Sequence, residues 1–301
     1  MADSPIPPNP SNPYAAPTAT VSDQATADFA NGEFEPTGLT VPAGRGWDWI
    51  KRGWRLFRAQ MGLWIGITIT FFILCVGIQI LPIIGFLISF FMTPIRLAGI
   101  MIGCRKLDQG GRMAFADLFA AFSRNVGQLV FLGVLELLIL IALMGITYLL
   151  VGDMGQIDAV FQRRGSSLPA GPGVALMPLV MMALAAPYLA AVWFAPALVV
   201  FNNFAAPMAL LTSLKVSLRN WLPFTVYGLA GIALLLPLMI VMGVGIGLVA
   251  ASALSGSGAV GFVLVLMAVL IPLMFALMVF LTPIMFGTLY ASYRDCFYRN
   301  G

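Results

Sequence analysis

Six long apolar runs dominate the chain, at roughly 62–81, 83–103, 128–151, 174–200, 222–251 and 259–289. Each reaches the ~20 residues that an α-helix needs to cross the hydrocarbon core of a bilayer. None alternates apolar and polar positions, as the ~10-residue strands of a membrane barrel would. The last two runs exceed the required length, which implies tilt or an interfacial end. Ahead of the first run the period is helical but amphipathic. Trp47, Ile50, Trp54, Phe57 and Met61 recur at i, i+3, i+4 spacing, and Asp48, Lys51, Arg52, Arg55 and Arg58 fall on the other side. This pattern predicts an interfacial helix with aromatic rings in the headgroup layer and cations toward anionic lipid.

Composition supports this reading and removes much chemistry. Of the 301 residues, 60% are apolar and 9% charged, against about 25% charged in a soluble domain. There is no histidine, which excludes His general bases, Ser-His and Cys-His nucleophile pairs and His-ligated metals. Cys75, Cys104 and Cys296 form neither a disulfide framework nor a CxxC metal site. No P-loop, HExxH or GxSxG occurs, and Asp117 and Asp295 read as isolated interfacial carboxylates. The expectation is a non-enzymatic protein with no catalytic, metal or cofactor site and no nucleic-acid partner.

Charge is strongly segregated. Residues 1–44 carry Asp3, Asp23, Asp28, Glu33 and Glu35, no Lys or Arg, and many prolines. They read as a disordered acidic arm, because too little apolar surface is present to offset the entropy of ordering. The arm lacks the basic start and apolar run of a secretory signal, so the first membrane helix is expected to act as an uncleaved insertion signal. It is free to fold back on the basic helix or to dock a cytoplasmic protein partner. All but three of the 16 basic residues precede the first run, lie between the second and third or the fourth and fifth, or follow the sixth. The exceptions are Arg96, Arg163 and Arg164. Cytoplasmic loops hold the excess of Lys and Arg, so both termini are expected in the cytoplasm.

The runs also group. Leu118–Asn125 precedes the third run, with Gly133 nine residues after Arg124; Leu214–Asn220 precedes the fifth, with Gly228 nine residues after Arg219. Leu56–Gln60 precedes the first, with Gly66 eight residues after Arg58. The second and sixth runs share Thr-Pro-Ile, at Thr93-Pro94-Ile95 and Thr282-Pro283-Ile284, each with an Arg eleven residues after the Pro. The fourth carries the weaker Phe194-Ala195-Pro196. The expected fold is therefore an all-α polytopic membrane protein with six transmembrane helices. It is built as three parallel repeats of interfacial helix plus transmembrane hairpin, at about 45–112, 113–206 and 207–301. Pro94, Pro196 and Pro283 are the expected helix-bend positions, since proline removes one donor from the helix ladder.

On the opening Gly46-Trp47-Asp48-Trp49-Ile50 with Gly53-Trp54-Arg55-Leu56-Phe57, the hairpins and the Thr-Pro-Ile marks, residues 45–301 resemble a family of uncharacterised inner-membrane proteins of Gram-negative bacteria. More distantly they are similar to the membrane domain attached to some glycerophosphodiester phosphodiesterases. The resemblance implies membrane location and six helices. It carries no catalytic residues, and this chain lacks a phosphodiesterase domain.

Two ionisable residues lie inside the runs, Arg96 in the second and Glu136 in the third. At 1.5 Å per residue both sit roughly 12–14 Å below the cytoplasmic surface. Equal depth on consecutive antiparallel helices predicts an Arg96–Glu136 salt bridge, each charge alone costing about 2.5–3.5 kcal/mol in hydrocarbon. Gly99-xxx-Gly103 and Gly243-xxx-Gly247 are small-residue pairs suited to close helix packing. The best functional feature is the basic helix, where Arg45, Lys51, Arg52, Arg55 and Arg58 each contribute about 1 kcal/mol toward anionic lipid. Two functions follow. One is a membrane-organising or accessory protein; the alternative is a small-solute or lipid transporter with a path past Arg96 and Glu136. A cysteine replacing Arg112 should react with a membrane-impermeant thiol reagent only from the cytoplasmic side, and one replacing Arg163 only from the other. Labelling of whole cells against inverted vesicles reads this, and the reverse pattern would overturn the orientation.

Overall fold

A computed structural model describes residues 32–151, 172–254 and 260–299. Most of the acidic arm, and Arg163 and Arg164, lie outside the described residues. The elements are a strand β1 (Glu33–Phe34), helices α1 (Arg45–Ala59), α2 (Met61–Ile78) and α3 (Pro82–Asp108), a 3-10 segment (Phe115–Ser123), helices α4 (Val126–Val151), α5 (Pro172–Trp193), α6 (Ala195–Asn202), α7 (Ala206–Arg219), α8 (Trp221–Leu254) and α9 (Val260–Phe297), and a strand β2 (Tyr298–Arg299). Five helical stretches are long and apolar enough to cross a membrane. α8 makes a sixth if its two pieces, which meet at 48°, count as one span. The chain is an all-α polytopic membrane protein.

In hydrocarbon every polar group needs an internal partner. The hydroxyls of Thr68, Thr70, Thr93, Thr147, Thr225 and Thr288 each donate to the carbonyl four residues earlier. At the α1–α2 break the Trp64 indole donates to the Leu56 carbonyl at 3.2 Å, filling an acceptor that the end of α1 leaves open. Asn125 and Asn203 both adopt left-handed backbone, which asparagine tolerates better than most residues. The amide of Asn125 donates to that of Asn203, tying the start of α4 to the end of α6.

The apolar core gathers at one end of the bundle, the end that carries the charges. Trp49, Phe57, Trp64, Met101, Phe194 and Phe297 are fully buried there. Toward the other end the helices present apolar side chains outward, with Ile80 78% and Leu149 81% exposed. Large apolar faces of this kind are stable against lipid and not against water.

Each short element packs chiefly on one long helix, and three contacts of this type circle the charged end. The 3-10 segment lies on α3, where a Cβ on Gly99 would meet the Leu118 carbonyl at 2.3 Å. α7 lies on α5, where Ser213 and Ser217 both donate to the Ala190 carbonyl, at 2.8 and 3.1 Å. α1 lies on α9, where Gly53 and Gly287 touch backbone to backbone. Only this last contact joins the two ends of the chain. Three side-chain amides follow the same circuit. Gln60 accepts the Met113 N–H at 2.9 Å, Gln128 the Ala206 N–H at 2.9 Å, and Asn220 the Val41 N–H at 2.8 Å.

One expectation is corrected here. Order begins before residue 45: β1 pairs with β2, Glu35 N–H donates to the Phe297 carbonyl, and Leu39 N–H donates to that of Cys296. Arg219 holds the Thr37 and Gly38 carbonyls, a turn that needs the positive φ of Gly38. Backbone pairing with the C-terminus, invisible in composition, orders this stretch. α1 buries Gly46, Trp49, Gly53, Leu56 and Phe57 and leaves Trp47 and Trp54 exposed, so of the aromatic stripe Phe57 packs in the core. Gly46 and Gly53, two turns apart, form the line of closest approach, and a Cβ on either would strike backbone.

Gly53→Leu should therefore lower stability by at least 1–3 kcal/mol, since overpacking displaces backbone. Gly62→Ala, with open space around it, should change it by less than about 0.5 kcal/mol. Thermal unfolding of the purified protein in detergent compares them, and equal effects would refute the close α1–α9 contact.

Candidate functional site

The most strongly coordinated carboxylate is Asp295, near the end of α9. Its side chain is 1% exposed and accepts from Arg45 at 3.0 Å, Arg52 at 2.7 Å and the Trp49 indole at 2.9 Å. These donors occupy positions i, i+4 and i+7 of α1, one face of a helix. The clasp corrects the expectation that Arg45 and Arg52 face anionic lipid: both are committed to Asp295. Lys51 pairs with Asp48 at 2.6 Å. That hydrogen bond, with the charges of Lys51, Arg45 and Arg52, holds the Asp48 carboxyl below the ordinary carboxylate range. Its stabilisation is present near neutral pH and fades as pH falls through that lowered value. Arg55 and Arg58 are exposed, with no ion pair among the described residues.

All three short elements turn exposed apolar side chains and cations outward together. α1 exposes Trp47 and Trp54 beside Arg55 and Arg58. The 3-10 segment exposes Phe115, Phe119 and Phe122, flanked by exposed Arg112 and Arg124. α7 and its junction expose Met208, Leu211, Leu218 and Trp221 with Lys215. The result is an interrupted collar around the charged end.

The intramembrane charges occupy different places from those expected. Arg96 stacks over the Phe71 ring, 4.0 Å from its centroid, and donates to Cys75 Sγ at 3.2 Å and Thr93 Oγ1 at 3.1 Å. Glu136 is buried on α4, near Tyr188 of α5. No bridge joins Arg96 to Glu136. The reason is both level and azimuth: α4 meets α3 where Gly133 rests on Phe91. From that contact Arg96 lies five residues toward the charged end and Glu136 three residues away from it, about 12 Å apart along the axis, and the five residues also turn Arg96 about 140° from Phe91, toward α2.

The prolines divide as well. Pro94 and Pro283 lie inside α3 and α9. Pro196 does not bend a helix interior; it occupies the first turn of α6, after a break at Phe194. The interior prolines of α5 are Pro178 and Pro187. Pro187 lies three residues before Ala190, the contact with α7, as Pro94 lies five before Gly99 and Pro283 four before Gly287. The glycine pairs also part. Gly99 and Gly103 receive the 3-10 segment and Met113, while Gly243 and Gly247 have open space around them. Among the described residues no group of three or more His, Cys, Asp or Glu is placed to hold a metal ion. Sequence reasoning missed Asp295 as a hub, because its partners lie some 250 residues away.

The chain is 27% identical over 268 residues to a probable inner membrane protein of Burkholderia thailandensis, covering 86% of this chain and 93% of that protein. No family model matches, and no solved structure is similar to it. With the helices above, this similarity supports a multi-pass inner-membrane location. None of these comparisons supports the likeness to phosphodiesterase-linked membrane domains.

Two mutant cycles separate the clasp from the unpaired charges. Arg96→Gln and Glu136→Gln should add to within about 0.5 kcal/mol in unfolding stability, as uncoupled sites do. Asp295→Asn should cost about 3 kcal/mol by stranding buried donors, and should couple to Arg52→Gln by 0.5–3 kcal/mol. Chemical or thermal unfolding reads both, and strong Arg96–Glu136 coupling would contradict the described geometry.

Proposed function

We propose that the protein is a non-enzymatic organiser of the inner membrane that gathers anionic lipid around its charged end. That end is the cytoplasmic one, by the distribution of Lys and Arg. The observation that carries the reading is the collar: α1 and the 3-10 segment place exposed rings beside exposed cations, and α7 places exposed Met208, Leu211 and Leu218 beside Lys215, with Trp221 exposed at the start of α8. Rings of this kind settle in the headgroup layer, and each cation there is worth about 1 kcal/mol toward anionic lipid.

The same reading takes the chain as three repeats closed into a ring. With α6 taken as the continuation of α5 past the break at Phe194, the order short element, long helix, long helix recurs three times. Each short element rests on the second long helix of the unit before it, α1 on α9 included, and the Gln60, Gln128 and Asn220 amides repeat that step. Pro187, rather than Pro196, is then the counterpart of Pro94 and Pro283. Residues 32–44 close the ring. The earlier part of the acidic arm stays a candidate docking segment for a cytoplasmic partner.

The transport reading retains one favouring observation: Arg96 and Glu136 lie within candidate spans and do not neutralise each other. It lacks a path joining them.

Native mass spectrometry of lipids retained from mixed nanodiscs tests the proposal. Phosphatidylglycerol should be enriched over phosphatidylcholine. Arg55→Gln, Arg58→Gln, Arg124→Gln and Lys215→Gln should reduce that enrichment by about fivefold per charge removed. An unchanged preference in the fourfold variant would refute the collar as a lipid-binding surface.

A further inference from the structure

Arg96 lies within the candidate span Ile84–Asp108, one helical turn from Gly99, where the 3-10 segment packs. At 1.5 Å per residue it is about 5 Å along the axis from that contact. Among the described residues its partners are all neutral: the Phe71 ring, the Cys75 sulfur and the Thr93 hydroxyl. Its Nε is buried with no acceptor. Five described carboxylates of the charged end are engaged with other cations. Asp48 holds Lys51, Asp108 holds Arg294, Asp117 holds Lys106, Asp295 holds Arg45 and Arg52, and Glu35 holds Arg299. Glu136 lies toward α5. A guanidinium stays charged in any protein environment, so the span carries a full positive charge that no described residue neutralises. Such a residue marks a binding or transport site more often than a packing element.

The surroundings select the kind of anion. Ser89, Thr93 and Arg96 share one face of α3, at i, i+4 and i+7. The Ser89 hydroxyl is also buried without a partner. This face is open on one side: Thr93 is exposed, and Arg96 and Cys75 are half-buried. Apolar Leu74 and Ile88 flank it, both exposed. The approach therefore runs through hydrocarbon, and a planar fork of donors suits the two oxygens of a carboxylate or phosphate.

We propose that Arg96, with Thr93 and Ser89 on the same face of α3, binds the oxyanion head of a single acyl-chain lipid, a carboxylate or phosphate, entering between α2 and α3 from the bilayer. The bound head supplies the missing counter-charge, and its chain lies along the exposed apolar positions beside the site. The inference is independent of the collar. The collar acts on bulk headgroup preference, and this site binds one molecule per chain, so the two readings fail separately.

Native mass spectrometry of the full chain in detergent tests it, with palmitate, palmitoyl lysophosphatidic acid, hexadecanol and inorganic phosphate as probes. One palmitate or lysophosphatidic acid should bind per chain, and hexadecanol at the same concentration should bind at least tenfold more weakly. Whichever of the two acids binds more tightly identifies the natural head. Arg96→Gln should weaken binding at least tenfold, and Arg96→Lys, which keeps the charge and loses the fork, by less. On the wild-type chain the acid should also slow maleimide labelling of Cys75, the one half-buried thiol beside buried Cys104 and Cys296. That readout stands even if a variant fails to fold. Equal binding of hexadecanol, retention in Arg96→Gln, or unchanged Cys75 labelling would overturn the proposal. Saturation by inorganic phosphate with both acids inert would overturn it too, assigning the site to a soluble anion.

Discussion

The carboxylate of Asp295 holds the molecule's two ends together. Three donors on one face of α1 converge on it, and the interface beneath is made of glycines, so the clasp and the close approach require one another. Without Gly53 and Gly287 the helices would stand too far apart for Arg45, Trp49 and Arg52 to reach. Without the carboxylate, two guanidinium groups would crowd a largely desolvated surface. The remaining contacts of the charged end, the β1–β2 pairing, the Asn220 amide on Val41 and the Arg219 bonds to Thr37 and Gly38, lie beside this closure and depend on α1 being seated.

This arrangement divides the protein along the membrane normal. At the charged end, polar groups pair with one another, rings are buried, and short elements brace long ones. Farther along, the helices face lipid with bulky apolar side chains and satisfy their hydroxyls locally, four residues back. Packing that excludes lipid is thus concentrated where side chains are rich in specific partners. Arg96 falls just beyond that well-braced layer, one turn past the Gly99 contact. Arg96 is accommodated by a ring, a thiol and a hydroxyl, contacts that steady a cation without neutralising it.

Helical period is legible in the sequence; the level and face at which two helices meet are not. Equal residue counts imply matching depth for Arg96 and Glu136, yet α3 presents Phe91 to Gly133, which sets the two charges about 12 Å apart along the axis and turns Arg96 toward α2. The same distinction explains α1. Its period is helical, as the apolar spacing required, yet the buried line runs through Gly46 and Gly53, which a hydrophobic pattern cannot weigh because glycine has no side chain. Pro196 was read as a bend for want of knowing that the helix breaks at Phe194.

Sequence alone determined membrane residence, helical class, the approximate spans and the short amphipathic elements before three of them. Those properties depend on local composition and on a fixed rise per residue, both of which a linear string records. Tertiary structure decided which face each helix buries, that residues 32–44 are ordered, that Asp295 is a hub and that Arg96 has no acidic partner among the described residues. Each of these depends on groups brought together across tens or hundreds of residues. Rotation about a helix axis, which settles such meetings, is fixed by neighbouring helices rather than by the helix's own sequence.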